Sequence, residues 1–175
     1  HTRAYEALSK FYPELNVELE LIIAADTSDD RLKYAQEVLG YPAVSTNYMD
    51  VLNNPKVDVV SICAPNFLHK EMGVAAAKAG KAFWIEKPVG RGAAETIEVS
   101  EAVKKAGVET TIGFNYRHPP AVEYAKQIIA AGELGRITNV RGSYFADYSA
   151  EPNGALSWRF IREYAGNGVL GDLMG

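Results

Sequence analysis

Short apolar runs rich in β-branched residues alternate with longer segments of helical period over the first two-thirds of the chain, the pattern of βαβ units around a parallel sheet. Residues 19–25 read as a buried strand halted by the polar cluster Asp26-Thr27-Ser28-Asp29-Asp30. Ser28 or Asp29 can cap a helix that runs to Gly40, a C-terminal stop. Residues 57–64 form a second predicted strand, Pro65-Asn66 turns into a helix ending near Gly80, and residues 82–85 form a third strand, broken by Glu86-Lys87-Pro88. A helix over 94–106 and a strand over 109–113 complete another unit, and a helix over 2–12 opens the chain. The fold class that follows is α/β, a doubly wound parallel sheet with helices packed on it.

The pattern changes after Gly113. Tyr116-Arg117-His118-Pro119-Pro120 interrupts, a helix runs to about Ala131, and residues 137–145 alternate like a half-exposed strand of a different sheet. The glycine-rich stretch 150–175 predicts loop, with a helix beginning near Val169. A domain boundary is therefore expected near residue 114, dividing the chain into 1–114 and 115–175. The chain has no internal repeat and no low-complexity segment. It opens at His1 without a methionine and stops at Gly175 inside a glycine-rich run, so it is expected to be cut at both ends.

Composition narrows the function classes. With 47% hydrophobic and 23% charged residues the chain can bury a core, which excludes a disordered or collagenous polypeptide. Eighteen basic against 22 acidic residues leave a charge of −4 and no basic stripe, so nucleic acid is not an expected partner. No apolar stretch approaches a membrane span, and no signal-peptide pattern opens the chain. The lone Cys63 lies in the apolar run 59–63 and is expected to be a buried thiol. These features together fit a soluble, cytoplasmic protein.

Three places carry candidate chemistry. Asp26 ends the first predicted strand, where a dinucleotide-binding sheet of the Rossmann type holds the adenosine ribose by a carboxylate; the same residue would serve equally to cap a turn. A carboxylate there favours NAD over the 2′-phosphorylated NADP, while Thr27 and Arg31 leave NADP open. No glycine-rich fingerprint accompanies Asp26, as it would if a first strand and its loop lay ahead of His1. The other two places are Ala64-Pro65-Asn66 with His69, and Glu86-Lys87-Pro88, each at the end of a predicted parallel strand, the edge where open α/β sheets bind ligands. A lysine just past a buried strand is partly desolvated, which suits Lys87 to proton transfer, although most lysines are simply solvated. Pro88 shapes the turn, with a cis peptide as one option.

Taken in order, these residues with Gly80-Lys81, Asn115-Tyr116-Arg117, residues 132–137 (GELGRI), Ser157-Trp158-Arg159 and residues 166–172 (GNGVLGD) resemble the Gfo/Idh/MocA family of NAD(P)-dependent oxidoreductases. The resemblance implies a Rossmann domain lacking its first strand, followed by the start of an α+β domain with a mostly antiparallel sheet. It implies that Lys87 binds the substrate hydroxyl and assists its proton transfer. It also implies that Asp172 precedes by four residues a histidine acting as acid and base, which would fall just beyond Gly175. Ala64, Pro65, Asn66, His69, Glu86 and Asn115 would lie along the dinucleotide, and Trp158 and Arg159 would close over it. Tyr116, Arg117 and Asp172 would be substrate contacts beside Lys87, as would Tyr148, although the string Tyr144, Phe145 and Tyr148 reads rather as packing between strand and loop, and His118 as a surface residue.

Oxidising a secondary alcohol needs a base beside the hydroxyl and a cation to stabilise the developing alkoxide, and no metal is required for either. The expected activity is hydride transfer between a nicotinamide cofactor and a sugar, cyclitol or polyol, in a homo-oligomer. The alternative is a non-enzymatic dinucleotide-binding sensor on the same scaffold.

Overall fold

The structure, a computed structural model, describes residues 1–147 and 149–173. Among the described residues five short strands form two parallel sheets. In the first, β1 (Ile23–Ala25) pairs β2 (Ala43–Ser45); in the second, β4 (Ala82–Ile85) lies between β3 (Val59–Ile62) and β5 (Thr110–Ile112). Helices alternate with them: α1 (Thr2–Phe11), α2 (Asp29–Glu37), α3 (Tyr48–Leu52), α4 (Asn66–Lys78) and α5 (Ala93–Ala106). Beyond β5 come α6 (Pro120–Ala130), α7 (Arg162–Ala165) and α8 (Val169–Leu173), with 3-10 turns at Asn115–Arg117 and Trp158–Phe160. The result is the mixed α/β, Rossmann-like arrangement of parallel strands expected from the alternating pattern.

The central strand β4 is buried where its pattern demands. Phe83 and Ile85 alternate onto one face and are almost wholly inaccessible, packed with Ile62 of β3, Ala76 and Ala77 of α4, Val99 of α5 and Leu52 of α3. Burying each of the two large side chains contributes about 1.5–3 kcal/mol. Lys81 fastens the entry to β4, its ammonium donating to the Asn54 and Val57 carbonyls at 2.9 and 2.7 Å.

Gly92 at the N-terminal cap of α5 has no side chain, and Glu95 in the first turn reaches back past it to Arg91. Its carboxylate accepts from the Arg91 backbone N–H at 2.7 Å and from Arg91 Nε at 2.8 Å. Burial alone would raise the Glu95 pKa, but these bonds and the guanidinium charge more than offset it and hold the carboxyl below its usual range. The stabilisation is therefore fully present above the pKa of an unfolded glutamate and lost as pH falls through the depressed folded value. Glu95→Gln is expected to cost about 1 kcal/mol at pH 7, with the gap to the parent protein closing below about pH 4. Urea denaturation at the two pH values measures this, and a gap of equal size at both would refute it.

Several elements depart from the sequence pattern. The first strand pairs only over Ile23–Ala25, and Leu19 is exposed, because β2 is just three residues long and offers no further partner. Helix α2 ends at Glu37, three residues before Gly40. Strand β2 and helix α3 carry no distinct periodic signal. Residues 137–145 form no strand, and no antiparallel sheet is present among the described residues after 114. Val140 is 83% and Phe145 94% exposed, so the alternating segment has neither a ladder partner nor a surface to cover. Helices α7 and α8 appear within the stretch expected to be mainly loop, α8 starting at Val169 as expected. Cys63 is exposed, not buried. It follows the last paired residue of β3, and β3 is an edge strand with one open side. Partial burial of the sulfur first, and the Glu86 carboxylate second, push its thiol up to about 11. Among the described residues no helix is long and apolar enough to cross a membrane.

Candidate active site

The central strand of the larger sheet, β4, runs directly into Glu86 and Lys87. Past Ile85 the chain turns through Glu86 and Lys87, and the Lys87-Pro88 bond is cis. The Lys87 side chain is 26% exposed, and its ammonium donates to Asp172 Oδ1 at 2.9 Å and to the Asp172 carbonyl. Residues 85 positions apart are thereby brought into one ion pair. Asp172 also faces the Arg159 guanidinium, Nε to Oδ2 at 3.9 Å. Arg159 in turn lies over the Trp158 ring, 4.4 Å from its centroid, and Trp158 meets Phe67 edge to face. In this structure the guanidinium faces an indole and a carboxylate of its own chain.

Asp26 directly follows β1. Its Oδ1 accepts from the Ser28 backbone N–H at 2.9 Å and its Oδ2 stands 3.5 Å from Arg31 Nη1, with about two-thirds of the side chain covered. Thr27 beside it is exposed. The carboxylate thus caps a turn and still presents an edge to solvent, so the two roles read from sequence are compatible. Glu86 Oε1 accepts from His1 Nε2 at 2.8 Å and from Trp84 Nε1 at 3.4 Å. Gly113 leaves room for this carboxylate: a Cβ there would come within 2.7 Å of both its oxygens.

Other expected residues are placed differently. Ala64 and Pro65 flank the strand end, but the polar atoms of Asn66 and His69 are turned into the protein. Asn115 and Arg117 are exposed on the 3-10 turn, and the Arg117 carbonyl accepts from Lys126. His118 is exposed beside Glu123, as expected of a surface residue. The Tyr116 hydroxyl bonds the Tyr144 hydroxyl at 3.3 Å. That bond first, and more weakly the charge of Asp172, raise the Tyr144 pKa. Tyr144, read from sequence as packing, meets the Tyr116 ring edge to face, centroids 5.8 Å apart. Tyr148 lies outside the described residues. No cluster of histidine, cysteine or carboxylate side chains suited to a metal exists among the described residues.

Residues 166–171 spell G-x-G-x-x-G, yet helix α7 precedes them rather than a strand, so they lack the context of a dinucleotide fingerprint. Residues 166–168 form the turn into α8, the helix that carries Asp172.

A family model described as an oxidoreductase family with an NAD-binding Rossmann fold matches residues 1–114, and a GFO/IDH/MocA C-terminal domain model matches 122–174. The chain belongs to the Gfo/Idh/MocA family. Among its relatives, levoglucosan dehydrogenase of Pseudarthrobacter phenanthrenivorans is 38% identical over 99% of this chain and 44% of its own length. The scyllo-inositol 2-dehydrogenase (NAD(+)) of Bacillus subtilis is 34% identical over 76% of this chain and 39% of its own length. A solved levoglucosan dehydrogenase in complex with NADH and levoglucosan superposes with a TM-score of 0.93 at 37% identity, covering 99% of this chain and 47% of that one. This Gfo/Idh/MocA chain thus spans less than half the length of these relatives. The residues present fit a nicotinamide dinucleotide in part: a carboxylate stands at the end of β1 for a ribose, and a half-buried ammonium–carboxylate pair follows β4.

Proposed function

We propose that the intact protein oxidises a secondary hydroxyl of a sugar, cyclitol or polyol with NAD, residues 1–114 holding the cofactor and residues from 115 onward shaping the substrate site. The carrying observation is the Lys87–Asp172 ion pair at the end of the central strand. The bound nicotinamide would supply the hydride acceptor. Lys87 would hold the substrate oxygen and stabilise negative charge developing on it as its proton leaves. Asp172 orients the ammonium and, with one oxygen toward Arg159, keeps a carboxylate edge for a neighbouring substrate hydroxyl. Proton removal falls to the histidine expected four residues after Asp172. Asp26 would bond the ribose hydroxyls and disfavour a 2′-phosphate, with Arg31 close enough to temper that preference. Ala64, Pro65, Glu86 and Asn115 would line the cofactor, Trp158 and Arg159 would cover it, and Tyr116 and Arg117 would meet substrate.

The names of the relatives support the substrate class, since they act on an anhydrosugar and on inositol. The exposed apolar residues of the 137–145 segment support a homo-oligomer or further chain covering that face. A cytoplasmic location completes the reading. The test is to follow NADH absorbance with levoglucosan, myo- and scyllo-inositol, xylose and glucose, using NAD and NADP in parallel. Reduction is expected with one of these and faster with NAD; binding of NAD with no turnover on any of them would overturn the reading for these substrates, and the residue four after Asp172 would then decide, a histidine keeping an oxidoreductase with another substrate and an apolar residue giving a sensor.

A further inference from the structure

The first turn of α4 touches both halves of the Lys87–Asp172 pair's support. His69 is 1% exposed, with Nδ1 at 2.7 Å from the Pro88 carbonyl oxygen and Nε2 at 2.6 Å from that of Ala64. Pro88 is the residue after Lys87, so the imidazole ties the lysine's turn to the end of β3. A neutral ring has one N–H and donates to one of these carbonyls; a protonated ring donates to both. Asn66, one turn earlier on the same face, is 4% exposed and its Nδ2 donates to the Ala165 carbonyl at 3.2 Å. Ala165 ends α7, and the turn that follows it runs through Gly168, whose carbonyl accepts from the Asp172 backbone N–H at 2.9 Å. Between the two, Phe67 packs against Tyr164, ring centroids 4.9 Å apart, and against Trp158.

We infer that Asn66 and His69 are positioning residues for the catalytic pair rather than contacts to the cofactor: His69 sets the Lys87 turn and Asn66 sets the segment that carries Asp172. The inference rests on the proposed role of Lys87. An ammonium and a carboxylate drawn from distant parts of a chain meet in a productive geometry only if both backbones are held to a fraction of an ångström, and one rigid helical turn bonded to each supplies that reference. The buried side chains have no other polar work: both imidazole nitrogens face backbone carbonyls, and Asn66 Oδ1 has no partner among the described residues.

The experiment uses the intact protein, with NAD affinity measured by fluorescence and turnover by NADH absorbance. His69→Phe keeps the volume and removes both bonds; His69→Gln restores one donor; Asn66→Ala removes the other tether. The expected result for His69→Phe is a fall in kcat of about 30-fold with NAD Kd within about 2-fold, partly rescued in His69→Gln, and a smaller fall of the same kind for Asn66→Ala. A rise in NAD Kd of tenfold or more with kcat retained would overturn the inference and restore a cofactor contact. Equal kcat in His69→Phe and the parent would also overturn it. Should His69→Phe fail to fold, His69→Gln and Asn66→Ala carry the same comparison. A parallel Lys87→Met variant separates the two levels: if it turns over normally, the role of Lys87 fails; if it is inactive while the His69 and Asn66 variants are not, only the positioning role fails.

Discussion

Replacing Lys87 by Met is expected to lower kcat about a thousandfold while NAD affinity stays within a few-fold of the parent. Methionine keeps most of the stem's length and apolar packing and removes only the ammonium. Two effects are lost together: the cation that stabilises charge developing on the substrate oxygen, and the donor that holds this oxygen in place. The first loss is specific to the reacting state and the second is shared with the bound substrate, so KM should rise, but by less than kcat falls. The Asp172 carboxylate retains Arg159 at 3.9 Å, so the variant does not strand an isolated buried charge, and its folding should be little affected. Single-turnover NADH formation measures the effect. A variant within tenfold of the parent kcat would remove Lys87 from the reaction.

The site was legible in the sequence to the extent that its parts are local. Glu86-Lys87-Pro88 announces itself because a strongly apolar run of strand length stops abruptly at two charges and a proline. Asp26 does so for the same reason. Asp172 has no local signal; only the ordered resemblance over the whole chain marked it, and the pairing with Lys87 is a tertiary fact. Asn66 and His69 show the opposite failure. Their place at a strand end suggested the cofactor, but the direction of a side chain on the first turn of a helix is set by what packs there, here the Pro88, Ala64 and Ala165 carbonyls.

The same division runs through the fold. Strand β4 could be read from its own residues because both its neighbours and its covering helices demand apolar positions. Strand β2 could not: three residues, Ala43–Ser45, have no periodicity to detect, and they are a strand because β1 lies beside them. Residues 137–145 fail in the reverse sense. Alternation declares which side chains prefer a covered face, but a strand also needs a neighbour for its N–H and C=O groups, and none is present among the described residues.

Gly166→Ala is expected to cost about 3 kcal/mol of stability and about a hundredfold in kcat, although the residue touches neither Lys87 nor Asp172. Its φ of 63° and ψ of −111° lie where only glycine is comfortable, and a Cβ there would fall inside the Arg91 carbonyl group. The neighbouring Asn167 N–H donates to that same carbonyl at 3.1 Å, so the turn and the start of α5 are pressed together at this point. The backbone cannot rotate away without breaking that bond, and the movement passes along 167–171 to Asp172. Gly107→Ala supplies the control. Gly107 also has a positive φ, 67°, but faces open space at the end of α5, so alanine there pays only the backbone term, about 1 kcal/mol. Urea denaturation and kcat on the two variants separate the contributions: the difference in stability between them reports the clash, and a loss of kcat confined to Gly166→Ala reports displacement of Asp172. Equal stability losses with kcat intact in both would show that the turn yields locally and that the Lys87–Asp172 geometry does not depend on it.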